Sequence, residues 1–169
     1  MAIGVGGNAA SSLGPSSVTV SEGVSRLKAF LPAWAEAHPD DLCCSDLFET
    51  VPVGGPAGQE DYVNAVVLVS RTARSATSEA AFELLLELNS IEAEFGRNRS
   101  LEQRWGPRTL DLDLLFWGEL RLDHPQLVLP HPRMHLRTFV LEPLVQVMQV
   151  ALAQQSPDRP EPGALDRDC

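Results

Sequence analysis

The hydrophobic pattern changes period several times along the chain. Met1 to Val5 reads as a short strand, and Gly6-Gly7-Asn8 then opens a loop that includes Gly14-Pro15 and several serines. Val20, Val24, Leu27, Leu31 and Trp34 recur at helical spacing, which predicts a helix from Val20 to about Ala37 that stops at His38-Pro39. Leu42 to Val51 reads as a strand, a glycine- and proline-rich loop follows from Pro52 to Asp61, and Tyr62 to Ser70 is β-branched enough to form the second strand of a hairpin. A second helix is predicted with Ser78 as N-cap, a core stripe of Ala81, Leu84, Leu85, Leu88, Ile91 and Phe95, and an outer face of Glu79, Glu83, Glu87 and Glu94; Gly96 ends it.

Residues 97–107 are polar, rich in arginine and closed by Gly106-Pro107, so a mobile loop is expected. Thr109 to Trp117 reads as a strand, Gly118 to His124 as a turn and short extension, Leu127 to His131 as a short buried segment, and Phe139 to Leu152 as the last helix, with Pro143 in its first turn. The order β, α, β, β, α, β, α predicts an α+β fold: a two-layer sandwich with a ferredoxin-like core, its antiparallel sheet packed by helices. One domain is expected over 1–152, followed by a disordered acidic tail over 155–169, which has three prolines and four acids.

Composition narrows the chemistry. The 169 residues carry 23 acids and 13 bases, a net charge of −10, which disfavours nucleic acid and anionic membrane surfaces as partners. Twelve of the bases are arginine, and seven of these (Arg97, Arg99, Arg104, Arg108, Arg121, Arg133, Arg137) fall between 97 and 137 beside only five acids, so that window is +2 and the rest −12. An acidic protein that concentrates its arginines near a few aspartates is suited to a small polyanion. No run of 18 apolar residues exists and no signal peptide is evident. Cys43, Cys44 and Cys169 form no disulfide framework or zinc pattern, which suits a reducing cytoplasm. A monomer is expected, because no extended apolar surface helix asks for a partner.

The chemistry concentrates in Trp105-Gly-Pro-Arg-Thr-Leu-Asp-Leu-Asp-Leu-Leu-Phe116. On a strand, Asp111 and Asp113 share one face with Cα atoms about 6.6 Å apart, while Leu110, Leu112 and Leu114 share the other. Paired carboxylates without histidine favour Mg²⁺, and two such ions could hold a nucleotide's phosphates. The plain alternative is a solvated strand face. Arg97, Arg99, Arg104 and Arg108, with only Glu102 among them, supply forks for phosphate oxygens. Lys28 follows Leu27, so there is no Gly-Lys-Ser/Thr phosphate loop, and Gly6-Gly7-Asn8 lacks a third glycine. Glu92 falls on the core-facing stripe of its helix and needs a partner there, either a structural arginine or a ligand in the site.

The segments Tyr62-Val-Asn64, Gly96-Arg-Asn-Arg99, Arg104-Trp-Gly-Pro-Arg-Thr-Leu-Asp-Leu-Asp113 and Leu129-Pro-His131 resemble the 6-hydroxymethyl-7,8-dihydropterin pyrophosphokinase family of folate synthesis. The resemblance runs from about Met1 to Leu152. It implies transfer of the diphosphate of ATP to a pterin hydroxymethyl group with release of AMP, in the cytoplasm, with two Mg²⁺ ions and with ATP as co-substrate. It implies metal binding by Asp111 and Asp113 and catalytic roles for these aspartates with Arg97 and Arg99. ATP contacts would come from Glu92, Arg97, Trp105, Arg108, His131 and Arg137, and pterin contacts from Thr50, Val53, Tyr62, Asn64, Trp105 and Phe139. The chain departs from the family in having Pro132 after the Pro-His pair, Gln126 and Val128 before Pro130, Gly6-Gly7-Asn8 near its start, and an arginine loop one residue longer. Two other classes stay open: a metal-dependent nucleotidyltransferase, which would transfer AMP, and a ferredoxin-like regulatory domain that binds a small ligand without chemistry.

Overall fold

The computed structural model describes residues 1–52, 56–99 and 106–154. Its main sheet has five strands, all antiparallel: β1 (Ala2–Gly7), β2 (Leu42–Cys44), β3 (Phe48–Thr50), β4 (Tyr62–Val69) and β5 (Asp111–Phe116). β1 and β4 are central, β2 and β3 both pair with the far side of β4, and β5 is the edge strand beside β1. That order is the ferredoxin-like arrangement expected from the sequence. A separate ribbon pairs β6 (Leu122–His124) with β7 (Leu127–Leu129).

Helices cover both faces of the sheet. α1 (Ser16–Trp34) and α2 (Ser78–Glu94) bury Val20, Leu27, Leu31, Leu84, Leu88 and Ile91 against Ile3, Val5, Val67 and Leu112. α3 (Thr138–Gln154) packs Val140, Leu144, Val147 and Ala151 against the opposite face at Ala2, Val66, Leu68 and Leu115, which adds a third layer to the α+β sandwich. The third layer matters for the site, because α3 packs chiefly over β4, β2 and β3 and leaves a cleft on that face beside β1 and β5.

Local differences from the sequence expectation have physical causes. β1 runs on through Gly6 and Gly7, residues expected to begin a loop, because both keep their register with Asn64 and Val63 on β4. At Gly7 a Cβ would lie 2.4 Å from the Thr109 carbonyl oxygen, so only glycine lets β1 approach the chain entering β5. Gly7→Ala is expected to lower stability by about 1–3 kcal/mol, measured as a drop in the urea midpoint at constant m; an unchanged midpoint would refute the close packing.

α1 begins at Ser16, a turn earlier than predicted. Thr19 is buried there with its hydroxyl donating to the Pro15 carbonyl, so a polar turn is accommodated inside the helix. It ends at Trp34 because Glu36 adopts φ 51, a left-handed stop before His38-Pro39 is reached. The expected single strand from Leu42 to Val51 is two short ones, interrupted where the Ser45 hydroxyl accepts the Val66 N–H in place of a backbone carbonyl. Thr77, not Ser78, caps α2, accepting the Ala80 N–H at 3.2 Å. Pro143 is the sixth residue of α3, one turn deeper than expected.

α3 also corrects the expectation that no helix shows an extended apolar surface. Leu141, Val145, Met148 and Leu152 line its outer side at i, i+4, i+7 and i+11 and are exposed. No helix among the described residues is long and apolar enough to cross a membrane. The expected tail over 155–169 and residues 100–105 of the expected mobile loop lie outside the described residues.

Candidate active site

Period-2 alternation along β5 sends Leu112 and Leu114 into the core under α1 and α2, and turns Asp111 and Asp113 to the face that α3 leaves open. Opposite them on β1 stand Gly6 and Gly4, in register with Asp111 and Asp113 respectively. Asn64 follows across β4, in register with Gly6. Because the two glycines carry no side chain, the middle of the sheet forms the floor of a cleft of about 690 Å³. A Cβ on Gly6 would meet the Asn64 side-chain oxygen at 3.1 Å.

Nine of the residues singled out from the sequence line this cleft: Thr50, Tyr62, Asn64, Arg108, Asp111, Asp113, His131, Arg137 and Phe139. Asn64 donates from Nδ2 to the Thr50 hydroxyl at 3.0 Å, and the Tyr62 hydroxyl donates to the Gly106 carbonyl at 3.4 Å. Two aromatic rings and an oriented amide are the groups expected around a flat, polar-edged heterocycle. The carboxylates and cations line the same cleft. Arg108 donates to Asp111 Oδ2 at 2.6 Å, and Arg97 donates to Asp111 Oδ1 from behind the cleft wall. Among the described residues, the groups nearest Asp113 are the Arg137 guanidinium, with Nη1 4.0 Å away, and the His131 ring, with Nε2 also 4.0 Å away.

The two aspartates therefore ionise differently. Burial opposes ionisation of Asp111, but Arg108 and Arg97 outweigh it and hold its pKa below the usual carboxylate value. Burial and the Asp111 charge push Asp113 up to about 6. A carboxylate pair with one member short of compensating charge suits a divalent cation. Two carboxylates supply only part of such an ion's oxygen shell, and no cluster of three or more His, Cys, Asp or Glu side chains is found among the described residues; phosphate oxygens and water would complete the coordination.

His131 is neutral at physiological pH, its pKa lowered to about 4 by burial and by the Arg137 and Arg133 charges. Its Nδ1 accepts the Arg133 backbone N–H at 3.3 Å, so the ring proton sits on Nε2, the nitrogen nearer Asp113. The sequence marked His131 as a phosphate contact, and the structure places it in the cleft lining as a neutral ring with its proton on Nε2.

The remaining expected residues fall elsewhere. Arg97 is buried beside Asp111 but does not line the cleft, and Glu92 and Arg99 do not line it either. Val53 and Trp105 lie outside the described residues. Gly4, Gly6 and Arg133 line the cleft without having been assigned a role from the sequence. The glycines' alternate spacing on β1 was the available signal, hidden because Gly6-Gly7 resembles a turn.

The model of the 7,8-dihydro-6-hydroxymethylpterin-pyrophosphokinase (HPPK) family matches residues 2–149, which takes in every element from β1 into α3. The chain belongs to this family. Relatives named 2-amino-4-hydroxy-6-hydroxymethyldihydropteridine pyrophosphokinase include one from Synechocystis sp., 44% identical over 104 residues, which are 62% of this chain and 48% of the relative. Another, from Pseudomonas aeruginosa, is 47% identical over 106 residues, 63% of this chain and 60% of the relative. A third, from Haemophilus influenzae, is 40% identical over 124 residues, 73% and 72% of the two chains. The match thus spans about half to three-fifths of the first two relatives. Within this HPPK chain, the Asp111-Asp113 pair and the side chains of Asn64, Tyr62 and Phe139 line one cleft.

Proposed function

We propose that this protein transfers the diphosphate of ATP to the hydroxymethyl group of 6-hydroxymethyl-7,8-dihydropterin, releasing AMP, as a cytoplasmic step of tetrahydrofolate biosynthesis. Its partners in this reading are these two small molecules, with no nucleic acid or membrane. The observation that carries the reading is one cleft lined both by aromatic rings with an oriented amide and by a carboxylate pair with arginines, in a chain of the HPPK family.

Thr50 and Asn64 read the edge of the pterin, and Tyr62 and Phe139 offer it aromatic surface. The hydroxymethyl oxygen attacks the β-phosphorus, the bond from that phosphorus to the α-bridging oxygen breaks, and AMP leaves with the bridging oxygen. The hydroxyl proton passes to solvent, since no dedicated base faces the site among the described residues. Asp111 and Asp113 would hold two Mg²⁺ ions, which supply Lewis acidity toward the phosphate oxygens and lower the hydroxyl pKa. His131 donates from Nε2 to a phosphate oxygen, and Arg97, Arg99, Arg108 and Arg137 offset the charge that builds on the phosphates.

The direct test incubates the protein with ATP, Mg²⁺ and the hydroxymethyl-dihydropterin and resolves the products. AMP with a pterin diphosphate is expected; pyrophosphate with an adenylated pterin would make the protein a nucleotidyltransferase, and no Mg²⁺-dependent ATP consumption would make it a binding domain. In the same assay Arg97→Ala is expected to lose about 10²-fold in kcat with the KM for ATP nearly unchanged, because a buried arginine beside Asp111 acts on charge developed in the transition state. An unchanged kcat would remove Arg97 from the reaction.

A further inference from the structure

We infer that Glu92 is a positioning residue that fixes Arg97 against the aspartate strand and does not itself bind the nucleotide. The inference rests on the phosphotransfer reading above and gives Glu92 a different task from the ATP contact suggested by resemblance.

Glu92 occupies the last turn of α2, on the same buried stripe as Leu84, Leu88 and Ile91, and is 1% exposed. Its carboxylate joins three separate pieces of chain. Oε1 accepts the Leu112 backbone N–H at 2.7 Å and Arg97 Nη1 at 2.5 Å. Oε2 accepts Arg99 Nε at 3.1 Å and Nη2 at 2.6 Å. A carboxylate has about four lone-pair directions, and these four donors use them. Nothing is left to accept from a ribose hydroxyl or an adenine amine, and a carboxylate has no proton to donate to a phosphate.

The Leu112 contact has a topological cause. β5 is an edge strand, so its outward N–H groups have no neighbouring strand, and Leu112 lies between Asp111 and Asp113. Glu92 supplies the missing acceptor at that point and at the same time holds Arg97, whose guanidinium also donates to Asp111. One side chain therefore sets both the backbone position of the two aspartates and the distance of the buried arginine from them. Burial raises the Glu92 pKa, and the Leu112 N–H, Arg97 and Arg99 act against that rise.

The test compares wild type, Glu92→Gln, Arg97→Ala and the double variant. Glutamine is nearly isosteric and keeps an acceptor for Leu112, so the variant is expected to fold, with kcat down about 10-fold to 10²-fold and the KM for ATP within about twofold, as expected for small misplacement of a reacting group. Because Glu92 acts through Arg97, the double variant loses no more than Arg97→Ala alone. A raised KM for ATP at unchanged kcat, or losses that multiply in the double variant, would overturn the inference. Amide exchange at Leu112 gives an arm independent of turnover: protection falls in Glu92→Ala while the β1 amides stay protected, and unchanged protection overturns it. A wild type that makes no pterin diphosphate refutes the reaction, and the exchange arm then still decides whether Glu92 holds β5.

Discussion

Asp113→Ala is expected to lower kcat by about 10³-fold while leaving the protein folded. Asp113 lines the cleft and, among the described residues, has its one cationic neighbour, Arg137, no closer than 4.0 Å, so its removal breaks little that holds the protein together. Its ionisation is in fact unfavourable to folding. The folded-state pKa of about 6 lies above the unfolded value of about 3.9, so the group binds its proton more tightly in the folded protein. Its contribution to stability is complete below about pH 4 and is lost as the pH rises through 6. Asp113→Asn should therefore flatten that decline in melting temperatures taken without metal.

Asp111→Ala should match the loss of turnover and differ in stability. Asp111 stands between Arg108 and Arg97, and its removal leaves two guanidinium groups clustered without the carboxylate they share. A variant that turns over at near-wild-type rate, at either position, would sink the assignment of the pair as metal ligands. Equal melting temperatures for Asp111→Ala and Asp113→Ala would contradict the unequal environments of the two carboxylates.

The second large effect is expected away from the cleft. Trp117 follows β5 directly, is 2% exposed, and is among the largest fully buried side chains. Its ring lies 5.5 Å from that of Trp34 on α1, and the other contacts of Trp34 are Phe30 at 6.2 Å and the Arg74 guanidinium at 4.0 Å from the ring centroid. Trp117→Ala removes the deepest member of this stack and is expected to cost about 3–5 kcal/mol. Urea unfolding followed by far-ultraviolet circular dichroism measures it. A loss below about 1 kcal/mol would mean that the surrounding core closes over the space.

Much of this was legible from residue order alone, and the limits have identifiable reasons. The Asp111-x-Asp113 alternation could be read because a half-buried strand must place leucines on one side, and the core confirms Leu112 and Leu114 there. The helices on the inner face could be read because Leu84, Leu88 and Ile91 keep a 3.6-residue period. Gly6 and Gly7 could not, since the same two letters serve a turn or a strand floor, and only the register with β4 decides. The wrap of α3 over the second face was equally hidden. Its apolar residues cover two sides of the helix, Val140 and Leu144 inward and Val145 and Met148 outward, so the pattern does not say which layer it joins. The residues that match pterin-kinase positions were found by a specific string, yet that string did not show that Arg97 and Glu92 lie buried outside the cleft lining.

The edge position of β5 has one more consequence. An open strand edge is a template on which another chain can add, and this edge carries the two aspartates of the site. Glu92 occupies its central N–H, and the charged groups of Arg97 and Arg99 crowd the same place. The ion cluster beside the two aspartates therefore occupies the stretch of this edge on which a strand from a neighbouring molecule would have to pair.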